Sequence, residues 1–242
     1  MTYCAALTLQ EGMIFASDTR TNAGIDYVAS VRKMTVFSRE QERVICIVNA
    51  GNLAHTQGVI NLLESATKDP DNSRNLLTVT SMYDAALLVG EAIRVMQARD
   101  GEALKQQHID CSGSFLIGGQ IRGEKQRLFH VYPQGNFIEA TVDTPFLQIG
   151  ESKYGKPILD RVIKHATPLA DAAKCVMISF DSTIRSNLSV GLPIDVLIYH
   201  RDQFTVGVQH RITEHDPYYQ KIHHYWGEGI REVFSKLPDP QW

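Results

Sequence analysis

Hydrophobic and polar positions alternate from the second residue of the chain. Thr2, Cys4, Ala6 and Thr8 interleave with Tyr3, Ala5, Leu7 and Leu9, the period of two expected of a half-buried strand. Chain ends are usually held loosely, so a strand that starts here predicts an N-terminus placed for a purpose. EG at 11–12 marks a turn into a second strand, MIFASD. A polar loop, TRTNAG, leads to a short strand at KMTVFS and a longer one at RVICIVNAG. From Asn52 the period changes, and Leu53, Val59, Ile60, Leu62 and Leu63 suit one helix face.

A polar break, KDPDNSRN, separates this helix from a second that opens with SMYD. That is a capping-box pattern, with Ser81 as cap and Asp84 reaching back. Ala85, Leu88, Ala92, Ile93 and Met96 line its apolar face, and Gly101 is expected just past its end. Strand patterns return at SFLIGGQ, QRLFHVY, NFIEA and FLQIG. Two helices follow, one through KPILDRVIKHA with Pro157 in its first turn, the next starting at Thr167-Pro168. Two strands, DVLIYH and FTVGVQ, are joined by a tight RDQ connection, and PYYQKIHHYWGEGIREVFSKL forms a helical tail despite two glycines. Local hairpins around two helix pairs predict an α+β fold in which two packed sheets carry helices outside, a four-layer αββα sandwich. The expected organisation is a single domain over 1–242 with a helical extension from about 211.

Composition narrows the function. The 242 residues are 43% hydrophobic and 21% charged, the profile of an ordinary globular domain. Net charge is -3 with both signs interspersed, which offers no basic stripe for nucleic acid. The apolar runs, VICIV and VLIY, are too short to span a bilayer, and the start lacks a signal-peptide profile. Neither nucleic acid nor membrane is therefore an expected partner. Cys4, Cys46, Cys111 and Cys175 form no CxxC pair, so reduced thiols in a cytoplasmic protein are expected. Glu214, His215, Asp216, His223 and His224 match no standard metal spacing and are read as part of a solvated or interface tail. Neither a cofactor nor a metal is called for.

The chemistry sits at the start. A threonine that becomes residue one supplies a hydroxyl nucleophile and, in its own α-amine, the base. That amine titrates near ~7.7–8.0, close to neutrality, and the branched Cβ limits the hydroxyl's orientation. Met1 must first be removed, which the small Thr2 permits. Asp18 closes the second strand, beside the start of the first if the two form a hairpin, and Lys33 precedes the third. A lysine near the threonine holds the amine neutral and helps deprotonate the hydroxyl, while an aspartate fixes the lysine and keeps it charged.

Seven stretches together resemble one family. They are TYCA at 2–5, ASDTRTNAG at 16–24, RK at 32–33, NAGNLAHTQ at 49–57, SFLIGGQ at 114–120, FLQIGESKYGKP at 146–157 and FDSTIRSNLSVG at 180–191. Over roughly residues 2–210 the chain resembles proteasome-type N-terminal nucleophile hydrolases of the β-subunit type. It is most like the bacterial Anbu (ancestral β subunit) group, a relative of HslV. The resemblance implies a threonine peptidase with Thr2 as nucleophile and base, and Asp18 and Lys33 as its charge partners. It implies a backbone N–H of Gly51 facing the oxyanion, Asp181 supporting the amine, and Ser189 as the serine that follows it, with Ser186 competing for that place. Lys33 lies one residue closer to the threonine than in the eukaryotic pattern, so the intervening loop is expected to be shorter. At 150–152 the chain reads Gly-Glu-Ser where the family pattern is Gly-Ser-Gly, leaving Ser152 to take the serine's role or not.

The resemblance also implies peptide or unfolded-protein substrates, self-association into a large ring-like or stacked homo-oligomer, and an unfoldase partner whose identity stays open. Two alternatives stand beside a peptidase. One is a non-catalytic assembly subunit, the other an amidase or acylase acting on small amides.

Overall fold

The opening alternation is realised as strand β1 (Tyr3–Leu9), but both of its faces are buried. Tyr3, Ala5, Leu7 and Leu9 pack with Ala172, Val176 and Phe180, whereas Cys4 and Ala6 pack with Val44, Cys46, Val48 and Leu116. The half-buried strand expected from the pattern is thus a strand with no solvent face. Its period of two separates large side chains on one buried face from smaller ones on the other.

The computed structural model describes residues 1–22 and 28–242. After β1 come β2 (Gly12–Asp18), β3 (Arg20–Asn22), β4 (Val28–Ser30), β5 (Met34–Arg39) and β6 (Arg43–Gly51). Helices α1 (Leu53–Lys68) and α2 (Met82–Gln106) lead to β7 (Gly113–Ile121), β8 (Arg127–Val131), β9 (Phe137–Glu139) and β10 (Phe146–Gly150). Then follow α3 (Ser152–Val162), α4 (Leu169–Ser186), β11 (Ile194–His200), β12 (Val208–Ile212) and α5 (Pro217–Ser235).

Two five-stranded sheets result, ordered β10-β1-β2-β11-β12 and β5-β6-β7-β8-β9. Met13, Phe15, Val44, Leu116 and Leu197 fill the space between them. On the second sheet's outer face, α1 and α2 bury Val59, Leu63, Ala85, Val89 and Ile93 against Ile45, Ile47 and Phe115. Helices α3 and α4 cover the first sheet through Leu159, Ala172, Val176 and Phe180. Helix, sheet, sheet, helix is the four-layer αββα sandwich expected from the sequence.

Local signals hold in part. The Ser81 hydroxyl accepts from Asp84 N–H at 3.0 Å and donates to the Asp84 carboxylate at 2.6 Å, so the reach-back ends on the hydroxyl. Aspartate is a methylene shorter than the glutamate of a full capping box. Gly101 lies inside α2, not beyond it, because one glycine costs a long helix only about 1 kcal/mol. On α1 the buried residues are His55, Thr56, Val59 and Leu63, with Leu62 facing solvent. Pro157 is interior to α3, which begins at Ser152. Pro168 rather than Thr167 is the N-cap of α4, and the Thr167 hydroxyl instead accepts from Lys164 N–H at 2.9 Å. The last strand starts at Val208, later than FTVGVQ suggests, since Phe204 at φ 50° turns the chain. The TRTNAG stretch contributes β3, paired with β4; its Ala23 and Gly24 lie outside the described residues, as does part of the loop leading to Lys33.

Candidate active site

The β1–β2 register pairs Cys4 with Ser17, and one step further brings Tyr3 beside Asp18. The Tyr3 N–H donates to Asp18 Oδ1 at 3.2 Å, so the first peptide group after Thr2 is anchored to that carboxylate. Lys33 arrives from the start of β5. Its Nζ lies 2.8 Å from Asp18 Oδ1 and donates to the Arg20 carbonyl at 2.5 Å. The main chain of Lys33 is fixed as well, for its carbonyl accepts from both the N–H and the Nδ2 of Asn49 at 3.1 Å.

Asp18 is 0% exposed and Lys33 4%. Burial pushes the Asp18 carboxyl up, and the Lys33 ammonium works against that shift. Asp18 Oδ2 has no hydrogen-bond partner among the described residues. An ion pair this deep is expensive to desolvate and is weak evidence for stability. A carboxyl pushed up by burial and held against a buried cation makes this pair a functional-site candidate. Beside them Thr2 is buried at 8% exposure, while Met1, which covers its nitrogen, stands in solvent at 62%. Asp18 thus links the main chain just after Thr2 to the Lys33 ammonium.

The remaining residues singled out from the sequence lie at differing distances from this centre. Gly51 ends β6 with φ 124°, and a Cβ there would clash with the Ser112 carbonyl oxygen, so the position requires glycine. Ser152 opens α3, but the residue that touches Thr2 is its neighbour: Glu151 N–H donates to the Thr2 carbonyl at 2.8 Å. Ser186 ends α4, and Ser189 follows in a turn where its N–H is held by Asn187 Oδ1 at 2.9 Å. That turn meets the centre through Arg20, which donates to the Leu188 carbonyl at 2.9 Å.

Asp181 does not join the group. Its Oδ1 lies 2.6 Å from His223 Nδ1 and accepts from the Tyr219 hydroxyl at 3.3 Å, both on α5. The reason is helical phase. Ser179 points its hydroxyl at the Tyr3 phenol, 2.6 Å away, and two residues further along α4 the side chain is turned about 200°. Tyr219 and Ile222 are the buried residues of α5, whereas Tyr225 and Phe234 are 66% and 74% exposed.

Sequence reasoning did not single out the Tyr3 amide, the Arg20 carbonyl, Asn49 or Glu151. Main-chain groups carry no residue signature. Glu151 did have one, the acidic residue in Gly-Glu-Ser. The histidines and acids of the tail separate into pairs, His210 with Asp216, His215 with Glu214 and His224 with Glu228. Cys4 is fully buried and its thiol is pushed up by burial, which makes it a poor nucleophile. No helix among the described residues is long and apolar enough to cross a membrane.

Solved structures resemble this chain throughout its length. Anbu (ancestral beta-subunit) from Yersinia bercovieri is 52% identical, with 99% of each chain covered and a TM-score of 0.93. The Anbu complex of Pseudomonas aeruginosa, described as a helical assembly, is 50% identical over 99% of this chain and 98% of that one, at a TM-score of 0.94. An Anbu (Gly-1) mutant from Hyphomicrobium sp. strain MC1 is 46% identical over the whole of both chains, at 0.93. No protein-family model and no curated protein matches the chain.

Proposed function

The chain belongs to the Anbu family of proteasome-like β-subunits, and from that premise we propose that it is a self-assembling threonine hydrolase that cleaves peptide bonds. The carrying observation is the buried Lys33–Asp18 pair at 2.8 Å, tied through the Tyr3 amide to the residue after Thr2. Removal of the exposed Met1 frees the Thr2 amine. The amine takes the proton of Thr2 Oγ as the oxygen attacks a peptide carbonyl. The proton passes to the leaving amine, the C–N bond breaks, and an ester to Thr2 remains. Water, deprotonated by the same amine, hydrolyses that ester and restores the hydroxyl.

Lys33 lowers the amine's proton affinity by like-charge repulsion, and Asp18 keeps Lys33 charged and in place. The Gly51 N–H serves the developing oxyanion; a donor of this type is worth roughly 2.7–4 kcal/mol. Ser189, on the turn held by Arg20, or Ser186, at the end of α4 just before it, and Ser152, next to the residue bonded to Thr2, are the supporting serines of this reading. Asp181 acts at a distance by seating α5. The whole chain is read as one cytoplasmic domain with α5 as its extension. The exposed Tyr225, Val233 and Phe234 of α5 support contacts between copies in a homo-oligomer.

The test is Thr2→Ala, assayed with unstructured protein and short peptides alongside the intact mass of the active species. Loss of hydrolysis with retained folding, and a wild-type mass short of one methionine, are expected. A second reading, a non-catalytic assembly subunit, draws on the exposed apolar side chains of α5, and it gains if the mass shows Met1 retained.

A further inference from the structure

Glu151 is the N-cap residue of α3, yet its side chain makes no cap hydrogen bond to the helix. The carboxylate is turned inward instead. The side chain is 12% exposed, and Oε2 is buried without a hydrogen-bond partner among the described residues. The nearest cation is Lys153, whose Nζ stands 3.5 Å from that oxygen on a side chain 69% exposed. A buried acceptor left in this condition is destabilising. Neither the helix nor the ion pair accounts for it.

Its place in the ladder does. Gly150 pairs with Tyr3, and a Cβ on Gly150 would overlap the Thr2 carbonyl oxygen, far inside van der Waals contact. Only glycine permits that approach. Glu151, the next residue, donates its N–H to the Thr2 carbonyl at 2.8 Å and so stands across from Thr2. Residues opposed in this way have Cβ atoms about 4.5–5.5 Å apart, within the span of a glutamate side chain.

We propose that Glu151 is a positioning residue for Thr2: its carboxylate is the counter-charge of the α-ammonium that forms once Met1 is removed. The inference rests on the threonine-nucleophile reading and adds an acidic partner to it. Four charged groups lie on the segments that flank Thr2: Asp18, which accepts from the Tyr3 N–H, with its partner Lys33, and Glu151 and Lys153 at the start of α3. Lys33 and Lys153 favour the neutral amine, and the carboxylates favour the ammonium. A general base must hold the proton it takes, so Glu151 stabilises the ammonium as Oγ attacks. The same effect makes the free amine scarcer at low pH.

The experiment titrates the amine itself and needs no turnover. Full-length protein lacking Met1, made if necessary by cleaving an N-terminal leader in front of Thr2 and checked by intact mass, is labelled with trace acetic anhydride across pH. Acetylation of Thr2 is read by peptide mass spectrometry. Glu151→Gln is expected to lower the titration midpoint by about 1 unit, the low end for losing an opposite charge within ~4–6 Å. The acid limb of the hydrolysis profile should move the same way while the plateau rate falls. An unchanged midpoint in folded Glu151→Gln overturns the proposal. If that variant does not fold, Glu151→Ala is titrated in its place, and an unchanged midpoint there overturns the proposal as well. Lys33→Ala should raise the midpoint; if it does not, the threonine-site reading fails independently of Glu151.

Discussion

Replacing Lys33 by methionine should separate the chemistry of the buried pair from its cost. Methionine keeps the length and apolar stem of lysine but removes the ammonium. Asp18, at 0% exposure, is then left with the Tyr3 N–H as the hydrogen bond to its Oδ1. Breaking a buried pair from one side typically costs about 3–5 kcal/mol. The carboxyl can escape part of this by keeping its proton, since burial already pushes it up and Lys33 is the main opposing influence. In the variant the native state therefore binds a proton more tightly than the unfolded chain, whose aspartate titrates near ~3.9. Stability then falls as pH rises from about 4 through the raised native value, and the deficit against wild type narrows on acidification. Urea unfolding at one protomer concentration, at pH 7 and again near pH 5, reads both effects. Lys33→Met/Asp18→Asn should recover most of the stability, because the pair goes together, while hydrolysis stays lost. A Lys33→Met protein within about 1 kcal/mol of wild type at pH 7, with no pH-dependent deficit, would refute the reasoning.

Gly51→Ala should lose hydrolysis and about 1–3 kcal/mol of stability, since φ 124° and the Ser112 carbonyl oxygen leave no room for a Cβ; thermal unfolding and peptide turnover check it. Truncation before Asp216 should reduce oligomer size or solubility, because α5 carries the exposed Tyr225, Val233 and Phe234 and Asp181 loses both partners on α5; an unchanged light-scattering mass would remove α5 from the contact. A milder version, His223→Ala, should speed amide exchange in α5 without altering the midpoint of the Thr2 amine.

Several features of this protein are decided within a few residues and so can be read from sequence. The change of period at Asn52, the Ser81–Asp84 cap and the succession of hairpins and helix pairs follow from local geometry and hydrogen bonding. The set of Thr2, Asp18 and Lys33 is legible for a related reason. A hairpin with a short turn forces the start of one strand beside the end of the next, which brings Asp18 to the start of β1, whereas Lys33 comes from the edge of the other sheet and reaches Asp18 only through the packing of the two. Other features depend on what packs against what, and there sequence is silent. That β1 has no solvent face follows from a second sheet folding over it, which its own alternation cannot reveal. Asp181 faces α5 because the phase of α4 is set by Ser179 meeting Tyr3. Glu151 rather than Ser152 meets Thr2 because β10 pairs with β1 across nearly the whole chain and the register ends there. Distances in sequence of well over one hundred residues are closed by the core, and only its packing selects which side chain arrives.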